Sequence, residues 1–213
     1  MEKAHKTVEV SLPSPSGILE AVLMLPVPES SNYEAAAVVC HPHPLYGGSM
    51  NSKVVVTAAH AILEMGIPSL RFNFRGVGRS SGKYDRGIGE QDDVRAAVTY
   101  MAGKAEKIIV IGHSFGALAG MRAGCGDARV RMMIGIGTPV ADMSFLMDCT
   151  KPEFFIHGML DELIPVEEVV TLCGNLPEPK RLIKVEGADH LFTGKLGEVS
   201  EAVKNLVREY LPV

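Results

Sequence analysis

The stretch Ile108–Gly120, "IIVIGHSFGALAG", decides how the rest of the chain is read. An apolar run ends in Gly-His-Ser-Phe-Gly and passes directly into small residues able to start a helix. Read as a structural turn, Gly112 and Gly116 let a buried strand bend sharply. Read as chemistry, the same glycines hold Ser114 out on a strained backbone, the arrangement of a nucleophile elbow, and a Cβ at either position would crowd the turn. The positive end of the following helix favours a developing oxyanion at the same place. The five residues alone leave the two readings balanced, because Gly-rich strand-to-helix turns also occur in nucleotide-binding folds.

The surroundings break the balance. "AAAVVC" (35–40), "PSLRFNF" (68–74), "KIIVIG" (107–112), "VRMMIGIG" (130–137), "EFFIHG" (153–158) and "RLIKVEG" (181–187) are short apolar runs bounded by Gly, Pro or polar residues. Such runs suit strands buried on both faces of a parallel sheet. Helical patterns fall between them, in 51–66, in 90–103 behind an acidic first turn, and in 194–211 with Leu196, Val199, Val203, Leu206 and Tyr210 on one stripe. Ahead of all this, "TVEVSL" (7–12) and "GILEAVLMLP" (17–26), parted by "PSPSG", read as an antiparallel hairpin. The sum is an α/β fold: a mostly parallel, twisted eight-stranded sheet with an antiparallel N-terminal hairpin and helices on both faces. At 213 residues, with no repeat or linker, one domain over 1–213 is expected.

In such a sheet ligands bind beyond the carboxyl ends of the strands. There the sequence places "CHPHPLYGG" (40–48), "NFRGVGRSSG" (73–82), "GHSFG" (112–116), "GTPVADM" (137–143), "HGMLDELIP" (157–165) and "EGADHLF" (186–192). A serine hydroxyl needs a base, and a histidine oriented by a carboxylate is the usual one. Asp161 and His190 follow Ser114 in chain order on two further strand ends, which makes Ser114, Asp161 and His190 the candidate catalytic set. Glu162 and Asp142 are rivals to Asp161, while Asp189 is expected to shape its loop.

With "HPHPLYGG", "RGVGRSSG", "GHSFG", "HGMLDELIP" and "GADHLF" in view, nearly the whole chain resembles the α/β-hydrolase superfamily. Within it the chain is similar to a small, lid-less bacterial group with an H-P-H-P-x-x-G-G loop, more distantly akin to dienelactone hydrolases and carboxylesterases. The resemblance implies the α/β-hydrolase fold with Ser114 as nucleophile, His190 as general base and acid, and Asp161 as the carboxylate that orients it. It also implies an oxyanion hole from the Phe115 amide and one amide of the loop after the third strand. That second donor is His43 by motif position, with Leu45 or Tyr46 as alternatives because Pro42 and Pro44 cannot donate. The R-G-x-G-x-S loop commonly follows an Asp two residues before the Arg, where this chain has Asn73.

Only some dozen residues separate "GIGTP" from "KPEFF", too few for a cap domain. A shallow site rimmed by Leu45, Tyr46, Phe145, Leu191 and Phe192 is therefore expected. A metal site at His41 and His43, completed by His113 or His157, is the weaker reading, since no carboxylate cluster accompanies them. The glycines at 76, 78 and 82 miss the dinucleotide fingerprint by one position. No metal or organic cofactor is implied. A formal charge of -4 argues against nucleic acid, and no apolar run reaches the roughly 18 residues of a membrane helix. Cys40, Cys125, Cys149 and Cys173 are scattered, so free buried thiols and a cytoplasmic location are expected. The leading function is a serine hydrolase acting on a small acyl ester, as monomer or homodimer. A non-catalytic binding protein on the same fold, and an acyltransferase, are the alternatives.

Overall fold

The computed structural model of the protein describes residues 5–211. Strands β1 (His5–Ser14) and β2 (Gly17–Pro26) form the antiparallel hairpin, with His5 opposite Pro26 and Ser14 opposite Gly17. Strands β3 (Tyr33–Cys40), β4 (Ser69–Phe72), β5 (Ala105–His113), β6 (Val130–Ile136), β7 (Glu153–Gly158) and β8 (Lys180–Val185) are mutually parallel, and β2 joins them antiparallel to β4. The order across the sheet is β1-β2-β4-β3-β5-β6-β7-β8.

The two-residue period of the strands divides the core into two layers. Along β5, Ile108 and Val110 join the cluster under helices α2 (Gly89–Ala102), α3 (Phe115–Cys125) and α4 (Val166–Asn175). Ile109 and Ile111 join the cluster under α1 (Lys53–Glu64) and α5 (Leu196–Tyr210). Each such isoleucine, wholly withdrawn from water, contributes about 2 kcal/mol. β8 departs from the doubly buried pattern: as the edge strand it is half-buried or exposed at every position except Val185, which is buried. Helix α4 leaves little periodic signal in the sequence because its buried face is only Val169, Leu172 and Cys173.

Two features of topology bear on the site. From β3 the chain crosses to β4 on one side, and from β5 to β6 on the other, so the carboxyl ends of β3 and β5 flank a crevice where the strand order reverses. Between β6 and β7 the chain makes only a short 3₁₀ turn, Ser144–Asp148, with Leu146 buried beneath it, and no cap domain is inserted. The free-thiol expectation is corrected in part. Cys40 and Cys173 are free and buried, but Cys125 and Cys149 form a disulfide, their Cα atoms 5.7 Å apart across 24 residues of sequence. The crossover from α3 through β6 brings the end of that helix back to the loop before β7, a proximity that cysteine spacing does not encode.

Candidate active site

Strand β5 carries Ser114 to the crevice and α3 begins at the next residue. Ser114 sits at φ 53, ψ −121, outside the regions most side-chain-bearing residues adopt. Holding it there costs roughly 1–3 kcal/mol. Its amide is tied to the Ile136 carbonyl at 2.8 Å, which fixes the turn against β6. The two glycines are required on contact grounds. A Cβ on Gly112 would lie 2.2 Å from the Gly116 carbonyl oxygen, and one on Gly116 would lie 2.5 Å from the carbonyl oxygens of both Cys40 and His41. The close approach of β3 and β5 at the crevice therefore depends on Gly116.

Asp161 and His190 are brought together from the loops after β7 and β8. His190 Nδ1 donates to Asp161 Oδ2 at 2.7 Å. The other oxygen, Oδ1, accepts the amides of Leu163 at 3.0 Å and Ile164 at 2.9 Å, so the carboxylate is held at both ends. Burial is the largest single influence on Asp161 and acts upward. The hydrogen bonds from His190 and the Ile164 amide, with the nearby His190 and His157, outweigh it and hold the carboxyl below its ordinary range. Ser114 Oγ itself is not hydrogen-bonded to His190, a contact that in such sites often tightens only with substrate in place. The surroundings of the serine nevertheless meet His190: the neighbouring His113 Nε2 donates to the His190 carbonyl at 3.1 Å, and a Cβ on Gly137 would stand 3.3 Å from the His190 ring.

The loop after β3 resolves which amides remain available. His43 Nδ1 accepts the Leu45 amide at 3.2 Å, and the His43 carbonyl accepts those of Tyr46 and Gly48, each at 3.1 Å. Leu45 and Tyr46 are thereby engaged within the loop. The amides of His43 and Phe115 donate to no acceptor among the described residues, and they lie on the two sides of the crevice. The His43 ring is packed among Tyr46, Tyr84 and Phe115 with centroids 4.7 to 5.0 Å apart, and its Nε2 lies 3.1 Å from the Tyr84 hydroxyl.

These features sit on a chain with plain relatives. A protein of Xanthomonas campestris, described as a member of the α/β serine hydrolases without a lid, is 34% identical, with a TM-score of 0.88 over 98% of this chain and 96% of that one. The chain belongs to the lid-less α/β serine hydrolases. A serine hydrolase homologue of Coxiella burnetii is 32% identical with a TM-score of 0.84, covering 95% of this hydrolase and 97% of its own chain. An uncharacterized protein of Rickettsia prowazekii is 37% identical over 182 residues, 79% of this chain and 76% of that one. No family model matches the sequence.

The rim of the hydrolase departs from expectation at two of five positions. Leu45, Tyr46 and Leu191 are exposed beside the crevice, joined by Leu160 and Leu163 around Asp161, which the sequence reading omits. Phe192 is 0% exposed. A left-handed backbone, φ 54, turns its ring into the core under α1 and α5, so it is not a rim side chain. Phe145 packs over the Arg122 guanidinium, 5.5 Å from ring centroid, two turns along α3 from Ser114. Both rivals of Asp161 stand apart: Glu162 is exposed, and Asp142 is exposed with its carbonyl bound to Arg122. Asp189 shapes its loop by accepting the amides of Leu191 and Thr193.

The remaining histidines brace the hydrolase. His41 donates through Nδ1 to the Pro42 carbonyl at 2.6 Å and accepts the Phe74 amide on Nε2 at 3.0 Å, leaving no lone pair for a metal. His157 donates to the Ile164 carbonyl at 2.9 Å, and the same nitrogen lies 3.4 Å from Asp161 Oδ2. Burial pushes the imidazoles of His41 and His113 down to about 4, which keeps both neutral. Among the described residues no group of three or more His, Cys, Asp or Glu side chains could hold a metal ion, and no helix is long and apolar enough to cross a membrane. Asn73 in place of the family's Asp has a local cause. Its Nδ2 donates to Glu20 Oε2 at 2.9 Å while its Oδ1 accepts the Met50 amide at 2.8 Å, and an Asp there would set a second carboxylate against Glu20.

Proposed function

We propose that this hydrolase cleaves carboxylic esters through an acyl-enzyme on Ser114. The observation that carries the reading is the 2.7 Å bond from His190 Nδ1 to Asp161, because it fixes the imidazole tautomer with Nε2 free to accept a proton. In the first half-reaction Ser114 Oγ attacks the ester carbonyl, its proton passes to His190 Nε2, and the alcohol leaves with that proton. Water then attacks the acyl-serine by the same route in reverse, releasing the acid and restoring Ser114. The oxyanion of each tetrahedral intermediate is received by the amides of His43 and Phe115, the donors that the protein leaves unused at the crevice. His157, whose Nε2 lies 3.4 Å from Asp161 Oδ2, adds to the field that keeps Asp161 ionised. The exposed leucines around the triad support an acyl group of apolar character.

The reading is tested on p-nitrophenyl butyrate. Ser114→Ala is expected to lose turnover entirely, and Asp161→Asn to keep the fold while lowering kcat by about 10⁴ through the wrong tautomer. Undiminished turnover in Ser114→Ala would remove the assignment.

A further inference from the structure

A cleft of about 390 Å³ opens beside the triad, between the loop after β3, the start of α1 and the loop after β8. His113 and Leu191, the chain neighbours of Ser114 and His190, form part of its wall, so the cleft runs up to the residues that flank the reacting atoms. Most of the wall is apolar or uncharged, including Tyr46, Val54, Leu191 and Leu196. It contains no Asp or Glu and a single ionised side chain, Lys53. Lys53 is exposed and makes no ion pair or hydrogen bond with any described residue, whereas Lys195 and Lys204 nearby in the same layer are paired with Glu198 and with Glu64 and Glu201.

We propose that the substrate is an ester that also carries a negative charge, a carboxylate in the simplest case, which Lys53 receives in this cleft. The inference rests on the ester-hydrolase reading above. An unpaired ammonium adds nothing to the stability of the fold, and the chain as a whole is negative, at -4, so the general field would repel an anionic ligand rather than attract it. A lone cation in the wall of the catalytic cleft reverses that field locally. The first turn of α1 holds no acidic residue, and the Ser52 hydroxyl is occupied by the Ser49 amide rather than capping the helix, so nothing in the helix start neutralises Lys53. Apolar walls with one cation fit an acyl or alcohol group of mainly hydrocarbon character that ends in one anionic group.

The test compares matched esters that differ by one charge. For the acyl half these are p-nitrophenyl hexanoate and mono-p-nitrophenyl adipate; for the alcohol half, 3-carbamoylphenyl and 3-carboxyphenyl hexanoate. In at least one pair the charged ester is expected to have the higher kcat/KM, by about fivefold, with the advantage shrinking in high salt. The pair that shows it identifies the half of the substrate that enters the cleft. Lys53→Gln should bring that ratio to about one and Lys53→Glu should invert it. Ratios at or below one in both pairs, or a ratio that Lys53→Glu leaves unchanged, overturn the proposal while ester hydrolysis stands. Absence of turnover with all four esters removes the ester-hydrolase reading and this inference with it.

Discussion

Glu153 stands at the start of β7, 1% exposed, with neither carboxylate oxygen hydrogen-bonded. Burial pushes its carboxyl up to about 8 from an ordinary value of 4.5. Asp161, also buried, is shifted the opposite way because His190 and the backbone bond its charged form, so partners rather than depth decide the sign. The consequence for Glu153 follows from linkage. A carboxyl raised in the folded state binds its proton more tightly there than in the unfolded chain, so its contribution is complete below about 4.5 and is lost as pH rises toward about 8. Glu153→Gln, neutral at every pH, should therefore gain stability relative to the natural chain progressively across that window and hold the gain above it. Urea unfolding midpoints at pH 5, 7 and 9 measure this; parallel curves would show that Glu153 is solvated or paired after all.

The loop after β3 acts as one element in which each amide has a different fate. Motif position points to His43 as the second oxyanion donor, and the prolines on either side of it leave Leu45 and Tyr46 as alternatives. The loop turns back on itself at His43, whose ring and carbonyl take up the amides of Leu45, Tyr46 and Gly48. That closure depends on Gly48, where a Cβ would stand 2.1 Å from the Pro42 carbonyl oxygen. His43 itself has φ −53, close to the angle proline imposes, so its amide can be deleted with little change of backbone. His43→Ala keeps the amide and loses the ring; His43→Pro loses both. The further loss of kcat from Ala to Pro, with both variants folded by circular dichroism, is expected to be about 10² to 10³. Equal kcat in the two variants would place the second donor elsewhere.

Over the whole molecule, what is legible in the sequence is what repeats at short range. Six strands announce themselves as short apolar runs and two as a hairpin, and the candidate residues Ser114, Asp161 and His190 follow because each stands in the turn or loop beyond one of those runs. What is not legible depends on contacts between distant segments. Phe192 reads as a rim aromatic beside His190, yet its backbone turns it inward. The pairing of Cys125 with Cys149 follows from a crossover, and the isolation of Lys53 in the cleft from the meeting of α1 with the loop after β8. The family carries the fold and the absence of a lid; the chemistry rests on whether Ser114 is activated. That is measured most directly by intact-protein mass spectrometry after exposure to a fluorophosphonate probe. The account predicts rapid, saturable addition of one probe per chain, mapped to Ser114 and abolished in Ser114→Ala. A folded protein that remains unlabelled, or that is labelled equally in Ser114→Ala, would contradict it.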